Sequence, residues 1–148
     1  MEKQDFLKLK NLEKDSDLNL LAVPASGLQK YFKLKGKFTS KEKFDSIVSR
    51  TGHVNKNKLT IVLNSKSHGP MMRFDVIGTD HNDIPTPHLH IFNGGESIMD
   101  QTVLSSDELP EQLKKCVNNL DNIVEDFTLF LQFIHVDLND VQITADFV

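Results

Sequence analysis

The sequence predicts an α+β domain in which a curved antiparallel β-meander carries C-terminal helices packed on one face. Residues 31–92 contain several short apolar segments of period two, separated by turn residues, as in an antiparallel meander. Residues 105–134 change to apolar spacings of three and four, which is typical of amphipathic helices. The chain has 148 residues, 39% of them hydrophobic and ten of them Phe, so residues 1–148 are predicted to form a single domain with its own core.

The first third of the chain supplies a helix followed by strands. Apolar residues at helical spacing predict a helix over residues 5–14, and the apolar segment 18–23 is a short strand or a packed loop. Apolar residues alternate with lysines over residues 31–38, which predicts a strand with one solvated face and with Phe38 buried. Residues 44–50 fit either a capped helix or a strand.

The remaining elements follow from changes of period. Strands are predicted at residues 58–64, 71–77 and 88–92, with a loop containing two prolines at residues 81–87. One helix is predicted from Ser105 to Val117 and a second after Asp121, with its apolar side from Ile123 to Ile134. Alternating apolar residues at 141–147 predict a closing strand.

Charge is distributed unevenly along the chain. Residues 1–60 carry 13 Lys/Arg and seven Asp/Glu, whereas residues 61–148 carry four and fourteen. This asymmetry indicates either a charged binding partner or mutual neutralisation of the two halves in the fold. The charged residues after Met1, the absence of a long apolar run and the single cysteine, Cys116, favour a cytoplasmic protein that does not insert into a membrane.

A cluster of titratable residues at 73–96 is the strongest candidate for chemistry. Period two places His88 and His90 on one face of a strand, with Leu89 and Ile91 on the other. We expect both histidines to be at least partly exposed and able to reach one metal ion or one phosphate. Arg73 and His81 complete the candidate catalytic set, and the same three histidines are the candidate ligands of a divalent metal ion.

Carboxylates near the histidines could complete a metal site, namely Asp80 or Asp83. The alternative is that the His-x-His pair is an ordinary solvated strand face. Two known His-x-His patterns do not fit. Histidine-triad nucleotide hydrolases carry a third His where Phe92 stands, and the Glu of the cupin motif comes earlier than Glu96 does here.

The segment MMRFDVIGTDHNDIPTPHLHIF, with the acidic helix DNIVEDFTLFLQFI after it, resembles a family of small uncharacterised proteins of Gram-positive bacteria, plasmids and phages. The resemblance covers about the C-terminal two-thirds of the chain. Its pattern is Arg-x-Asp, His-Asn, then Pro-His-x-His-Ile-aromatic, and falls on Arg73, Asp75, His81, Asn82, Pro87, His88, His90, Ile91 and Phe92. The resemblance implies a meander from Phe44 to Phe92, which favours a strand at residues 44–50, but it implies no activity.

Lysines mark a second candidate site. Lys33, Lys35 and Lys37 share one strand face and, with Arg50, form a candidate nucleic-acid contact surface, to which Tyr31 could add base stacking. The alternative is an edge strand that lysines protect against aggregation. Cys116 lies on the apolar side of its predicted helix and is interpreted as an inert small hydrophobic residue.

Two functions are therefore open. The first is a small nuclease or phosphoesterase that uses the histidine cluster, such as the toxin of a toxin–antitoxin or phage-defence module acting on RNA. The second is a non-enzymatic phage- or plasmid-borne inhibitor, antitoxin or immunity protein that binds a protein partner through its charged faces. The clustering of the histidines favours the first.

Overall fold

The computed structural model of the chain describes residues 2–52, 58–78, 84–92, 101–118 and 122–146. The strands are β1 (Lys14–Ser16), β2 (Leu20–Val23), β3 (Gln29–Gly36), β4 (Lys43–Ser49), β5 (Leu59–Ser65), β6 (Gly69–Ile77), β7 (His88–Phe92), β8 (Gln101–Leu104) and β9 (Gln142–Ala145). The α-helices are α1 (Lys3–Asn11), α2 (Glu111–Lys114) and α3 (Ile123–Phe133).

Seven of these strands form one antiparallel sheet in the order β1-β3-β4-β5-β6-β7-β8, so each neighbours the next along the chain. The other two, β2 and β9, pair in parallel as a small separate sheet. The helices of the C-terminal third follow the meander. The predicted α+β class with an antiparallel meander and C-terminal helices is confirmed.

The two faces of the large sheet differ because side chains alternate along each strand. On one face Phe32 and Phe74 meet α3, with ring centroids 5.6 Å from Phe127 and 6.2 Å from Phe130. This face and α3 form the core. The opposite face therefore points away from α3, and it carries the exposed Tyr31, Lys33 and Lys35 of β3.

Four expectations about local structure have an outcome in the observed elements, and one strand was not expected. Residues 43–49 form a strand, which settles the ambiguity at 44–50. The helix predicted over residues 5–14 spans Lys3–Asn11, and residues 14–16 form β1. The strand Gln101–Leu104 was not predicted. The closing strand exists but joins β2 rather than the meander. Phe38 was expected to be buried and is 81% exposed, because β3 ends at Gly36 before reaching it.

The helix expected over Ser105–Val117 is broken into shorter pieces. The segment begins with the capping box of Ser105 and Glu108, but only a 3₁₀ turn follows, and α2 spans four residues. Pro110 is the physical reason, since it offers no N–H and drives Leu109 into an extended conformation.

Within the described residues, no helix has both the length and the apolar character needed to cross a membrane.

Lys14 is a buried lysine that sequence reasoning overlooked. Its side chain is fully buried, and its Nζ donates to the carbonyl oxygens of Lys10, Leu12 and Ile134 at 3.0, 2.8 and 2.6 Å. Burial, with a smaller contribution from the charge of Lys10, lowers the pKa of Lys14 to about 7. The three bonds tie the carbonyl end of α1 to that of α3, so Lys14 is a structural residue.

Candidate functional site

Neighbouring strands β6 and β7 position the candidate site. Their antiparallel register places Asp75 opposite His88 and Arg73 opposite His90. Phe74 and Leu89, which alternate with these residues, are fully buried in the core. The four polar side chains therefore share the sheet face that points away from α3.

Asp75 is the centre of the cluster. Its Oδ2 lies 2.8 Å from His88 Nε2 and 3.0 Å from His90 Nε2, and it accepts from Arg73 Nη2 and Nε at 3.1 and 3.3 Å. Its Oδ1 accepts from Thr60 Oγ1 at 2.9 Å. Burial raises the pKa of Asp75, but the hydrogen bond to His90, the charge of Arg73 and the bond from Thr60 outweigh burial and hold the pKa well below its ordinary value. Asp75 is therefore a carboxylate at neutral pH.

The second nitrogen of each imidazole is also held. His88 Nδ1 lies 3.1 Å from the carbonyl oxygen of Ile84 and 3.3 Å from that of Pro85. His90 Nδ1 lies 2.9 Å from Gln101 Oε1. The rings stand nearly perpendicular, at 77°, with centroids 4.8 Å apart. Each imidazole is thus fixed in orientation from both sides.

The expectation of exposed histidines is wrong. His88 and His90 have no exposed surface, and the side chain of Asp75 is 11% exposed. The shared face of the two histidines and the burial of Leu89 are as expected, and Ile91 is half-buried against the core. The imidazoles face charged and polar groups rather than the apolar core. Arg73, with 42% of its side chain exposed, connects the cluster to solvent.

A family model described as a family of unknown function, DUF6978, matches residues 1–136. The chain belongs to DUF6978. The expected membership of an uncharacterised family is confirmed, and the match extends through the N-terminal third, beyond the two-thirds that the resemblance covered. No curated protein and no solved structure matches the chain.

The structure brings together three of the four residues expected to carry chemistry in this DUF6978 member: Arg73, His88 and His90. The fourth, His81, lies outside the described residues, as do Asp80, Asp83 and Glu96. The carboxylate that joins the histidines is Asp75 instead, whose place in the resemblance was noted without assigning it a role.

Two further contacts of the cluster, Thr60 and Gln101, were missed. Asp75 could have been found from the Arg-x-Asp spacing, because side chains two residues apart on a strand lie on the same face of the sheet. If the next strand pairs with it in antiparallel fashion, the histidines of that strand can lie beside Arg73 and Asp75. Thr60 on β5 and Gln101 on β8 depend on pairings that sequence spacing alone does not show.

The lysine surface is only partly as expected. Lys33 and Lys35 are exposed on β3, on the same sheet face as the cluster. Lys37 is exposed beyond the strand end and forms an ion pair with Asp137. Arg50 is buried and donates to the carbonyl oxygens of Pro24 and Lys58 at 3.4 Å, so it stands apart from this surface.

Strand β1 pairs with residues 34–36 of β3, so only the first part of β3 is an edge of the sheet. The interpretation that the lysines protect a sheet edge against aggregation applies only to that part. One row of paired residues crosses this face from strand to strand: Tyr31, Ile47, Val62, Arg73, His90 and Val103. Four strand spacings separate Tyr31 from His90, which is about 19 Å. The exposed Tyr31 and the cluster therefore lie on the same face of the sheet.

A cleft of about 460 Å³ lies elsewhere on the molecule, at the carbonyl end of α3. It is lined by Glu13, Lys37, Gln132, His135, Val136, Asp137, Leu138 and Asn139. None of these residues belongs to the Asp75 cluster, and Lys37 and Asp137 neutralise each other there. The cluster of titratable side chains therefore lies on the strand face rather than in the cleft.

Cys116 is buried, and burial raises the pKa of its thiol, which agrees with an inert role.

Proposed function

We propose that this DUF6978 member is a small nuclease or phosphoesterase whose reacting centre is the cluster of Asp75, His88 and His90. One observation carries the proposal: two imidazoles and a guanidinium converge on one carboxylate oxygen, on the sheet face that α3 leaves uncovered. A polar network of this density is costly to bury. Apolar residues of similar size would stabilise the fold at least as well. Such networks are concentrated at functional sites.

Arg73 is the proposed phosphate contact. Its Nε and Nη2 are held by Asp75, which fixes the plane of the guanidinium. Among the described residues no partner is seen for its Nη1, and the side chain is 42% exposed. A planar donor group anchored at one side and open at the other suits the oxygens of a phosphate ester.

His90 is the proposed proton carrier. Its Nε2 lies 3.1 Å from Arg73 Nη2, next to the group that would hold the phosphate. In hydrolysis, water adds to phosphorus, the ester P–O bond breaks, one proton leaves the water and one reaches the departing oxygen. His88 is less suited to this exchange, because the strand register places it opposite Asp75 and places His90 opposite Arg73.

RNA is the proposed substrate. Lys33 and Lys35 project from the same sheet face as Arg73, and the exposed Tyr31 offers a surface for base stacking. The cytoplasm is the proposed compartment, supported by a single buried cysteine that forms no disulfide. A toxin or phage-defence role would follow from RNA cleavage in that compartment, and the Arg73 to Phe92 pattern would mark the family's site.

The test is cleavage of a single-stranded RNA oligonucleotide and a growth challenge, with the wild type, His90→Ala and His68→Ala. His68 is an exposed histidine of the turn between β5 and β6, so it controls for the loss of an imidazole. We expect cleavage by the wild type and His68→Ala, and a loss of at least about a hundredfold in His90→Ala. Equal activity of folded His90→Ala and wild type would sink the proposal.

One observation favours the second candidate function, a non-enzymatic inhibitor or antitoxin. Both imidazoles have no exposed surface, and both nitrogens of each ring already have contacts. A purely structural network would look the same. Stable wild-type protein that cleaves neither RNA nor a phosphodiester, but binds a protein partner with salt-dependent affinity, would establish this alternative.

A further inference from the structure

We propose that Asp75, His88 and His90 bind one divalent transition-metal ion, of which Zn²⁺ is the first probe. The three ligand atoms all lie within 4.8 Å of one another. Two imidazole nitrogens and one carboxylate oxygen are a donor set that suits such ions and leaves coordination positions for water or a phosphate oxygen. The inference concerns the cluster of the proposed function and rests on that function only for its biological use. With the ion bound, His90 Nε2 is a ligand, so a water on the ion rather than this imidazole would exchange the proton in hydrolysis.

The contacts of His88 carry the argument. The carbonyl oxygens of Ile84 and Pro85 only accept hydrogen bonds, so His88 Nδ1 carries a proton. Its Nε2 then faces Oδ2 of the Asp75 carboxylate at 2.8 Å, which also only accepts. A neutral imidazole would set a lone pair against a negative oxygen. A cation between the two atoms, or a second proton on the ring, removes this conflict.

The outer contacts match those of metal-binding histidines. Such histidines characteristically donate their second nitrogen to a carbonyl or carboxylate, which fixes the ring and the tautomer. His88 does so through the carbonyls, and Gln101 Oε1 holds His90 Nδ1 in the same way. Both Nε2 atoms are thereby directed at the same carboxylate oxygen.

Two of the three distances between ligand atoms need little adjustment. Asp75 Oδ2 lies 2.8 and 3.0 Å from the two Nε2 atoms. Adjacent ligands at about 2.1 Å from an octahedral ion are about 3.0 Å apart, and tetrahedral ligands are about 3.4 Å apart. The side chains are held on paired strands and are already buried. Binding of the ion therefore costs little conformational entropy.

Arg73 supplies the cation of the metal-free cluster and should compete with the ion. Its Nη2 lies 3.1 Å from both Asp75 Oδ2 and His90 Nε2. A dication placed between the ligands would repel this guanidinium, which can turn toward solvent because the side chain is 42% exposed. Removing the charge of Arg73 should therefore strengthen metal binding, an effect that a metal-free structural network would not show.

The experiment uses chelator-treated wild type, Arg73→Gln, His90→Ala and the control His68→Ala. Zn²⁺ at about a hundred times its Kd should raise the Tm of the wild type by about 5 °C or more. Calorimetric titration should give one ion per chain, with affinity about tenfold tighter in Arg73→Gln, unchanged in His68→Ala and lost in His90→Ala. Co²⁺ should give the visible absorption of a site with nitrogen ligands.

Two results would overturn the inference. One is the absence of any Tm rise or binding heat in the wild type, which would leave Asp75 held by the imidazoles and Arg73 alone. The other is unchanged affinity in Arg73→Gln or in folded His90→Ala, which would place the ion elsewhere. Because Arg73→Gln keeps all three ligands, it decides the question even where His90→Ala does not fold. If the protein binds the metal ion but does not hydrolyse RNA, only the proposed function is refuted. If hydrolysis continues in the presence of a chelator, only the inference of a metal site is refuted.

Discussion

Asp126 offers a quantitative test of the packing in the core. It lies on the core side of α3 with no exposed surface, and among the described residues no donor meets hydrogen-bond geometry with either of its carboxylate oxygens. Burial raises the pKa of Asp126 to about 7 from 3.8, while the nearby Cys116 thiol lowers it by less and the charge of Glu125 raises it further. At neutral pH the native state thus holds a carboxyl that is half ionised in the core.

The pKa sets both the direction and the size of the effect on stability. Between pH 4 and 7 the native state binds more protons at Asp126 than the unfolded state does, so the free energy of unfolding falls as pH rises through this range. The stabilising contribution is fully present below about pH 4 and lost above about pH 7. The rise from 3.8 to about 7 corresponds to an upper limit of about 4 kcal/mol.

The assay is urea unfolding of wild type and Asp126→Asn at half-unit steps from pH 4 to 8. The stability of Asp126→Asn relative to wild type should rise by about 2–4 kcal/mol across this range, because Asn cannot ionise. The difference cancels His135, whose lowered pKa gives the opposite slope in both proteins. Exposed Asp107→Asn is the control and should shift by less than about 0.5 kcal/mol. A difference that is flat with pH would refute the reasoning.

Three further predictions concern other sites. Lys14→Met should destabilise by about 2–4 kcal/mol in urea unfolding, because three carbonyl oxygens, one buried and two partly buried, lose their donor; an unchanged midpoint would contradict this account of Lys14. Gly36→Ala should destabilise by about 1–3 kcal/mol, since its Cβ would lie 2.6 Å from a backbone oxygen, whereas Gly78→Ala, with no contact under 3.9 Å, should be nearly neutral. Equal effects of the two substitutions would show that the backbone at Thr39 moves to make room for the new Cβ. Replacing Lys33 and Lys35 with Ala should reduce the salt slope of RNA binding by about 0.7 per lysine; an unchanged slope would exclude this surface.

The fold could be predicted where local periodicity decides it. The period-two segments at 31–38 and 71–77 gave strands, and the apolar side of the helix at 123–133 gave the core partner of the sheet. The short strand at 101–104 lacks a period of its own and forms because β7 offers it hydrogen bonds. Lys14 reads as a surface residue, since its burial depends on carbonyls up to 120 residues away in sequence.

The candidate site was predictable in part for a similar reason. The His-x-His spacing placed two imidazoles on one face, and strand pairing then brought Arg73 opposite one of them. Burial was not predictable from spacing, because alternation says which face a side chain takes and not what covers that face. Asp75 became the centre of the cluster only once the register of β6 and β7 set it opposite His88.

The most direct test of the central claim compares hydrolysis of a single-stranded RNA oligonucleotide by wild type and by Arg73→Lys. Lysine keeps the charge but not the planar fork that Asp75 anchors, and a partly exposed side chain can be exchanged without disturbing the core. We predict hydrolysis by the wild type and a rate lower by at least about tenfold in Arg73→Lys, at unchanged Tm. Equal rates for the two proteins, or no hydrolysis by the folded wild type, would contradict the claim that this cluster is a reacting centre.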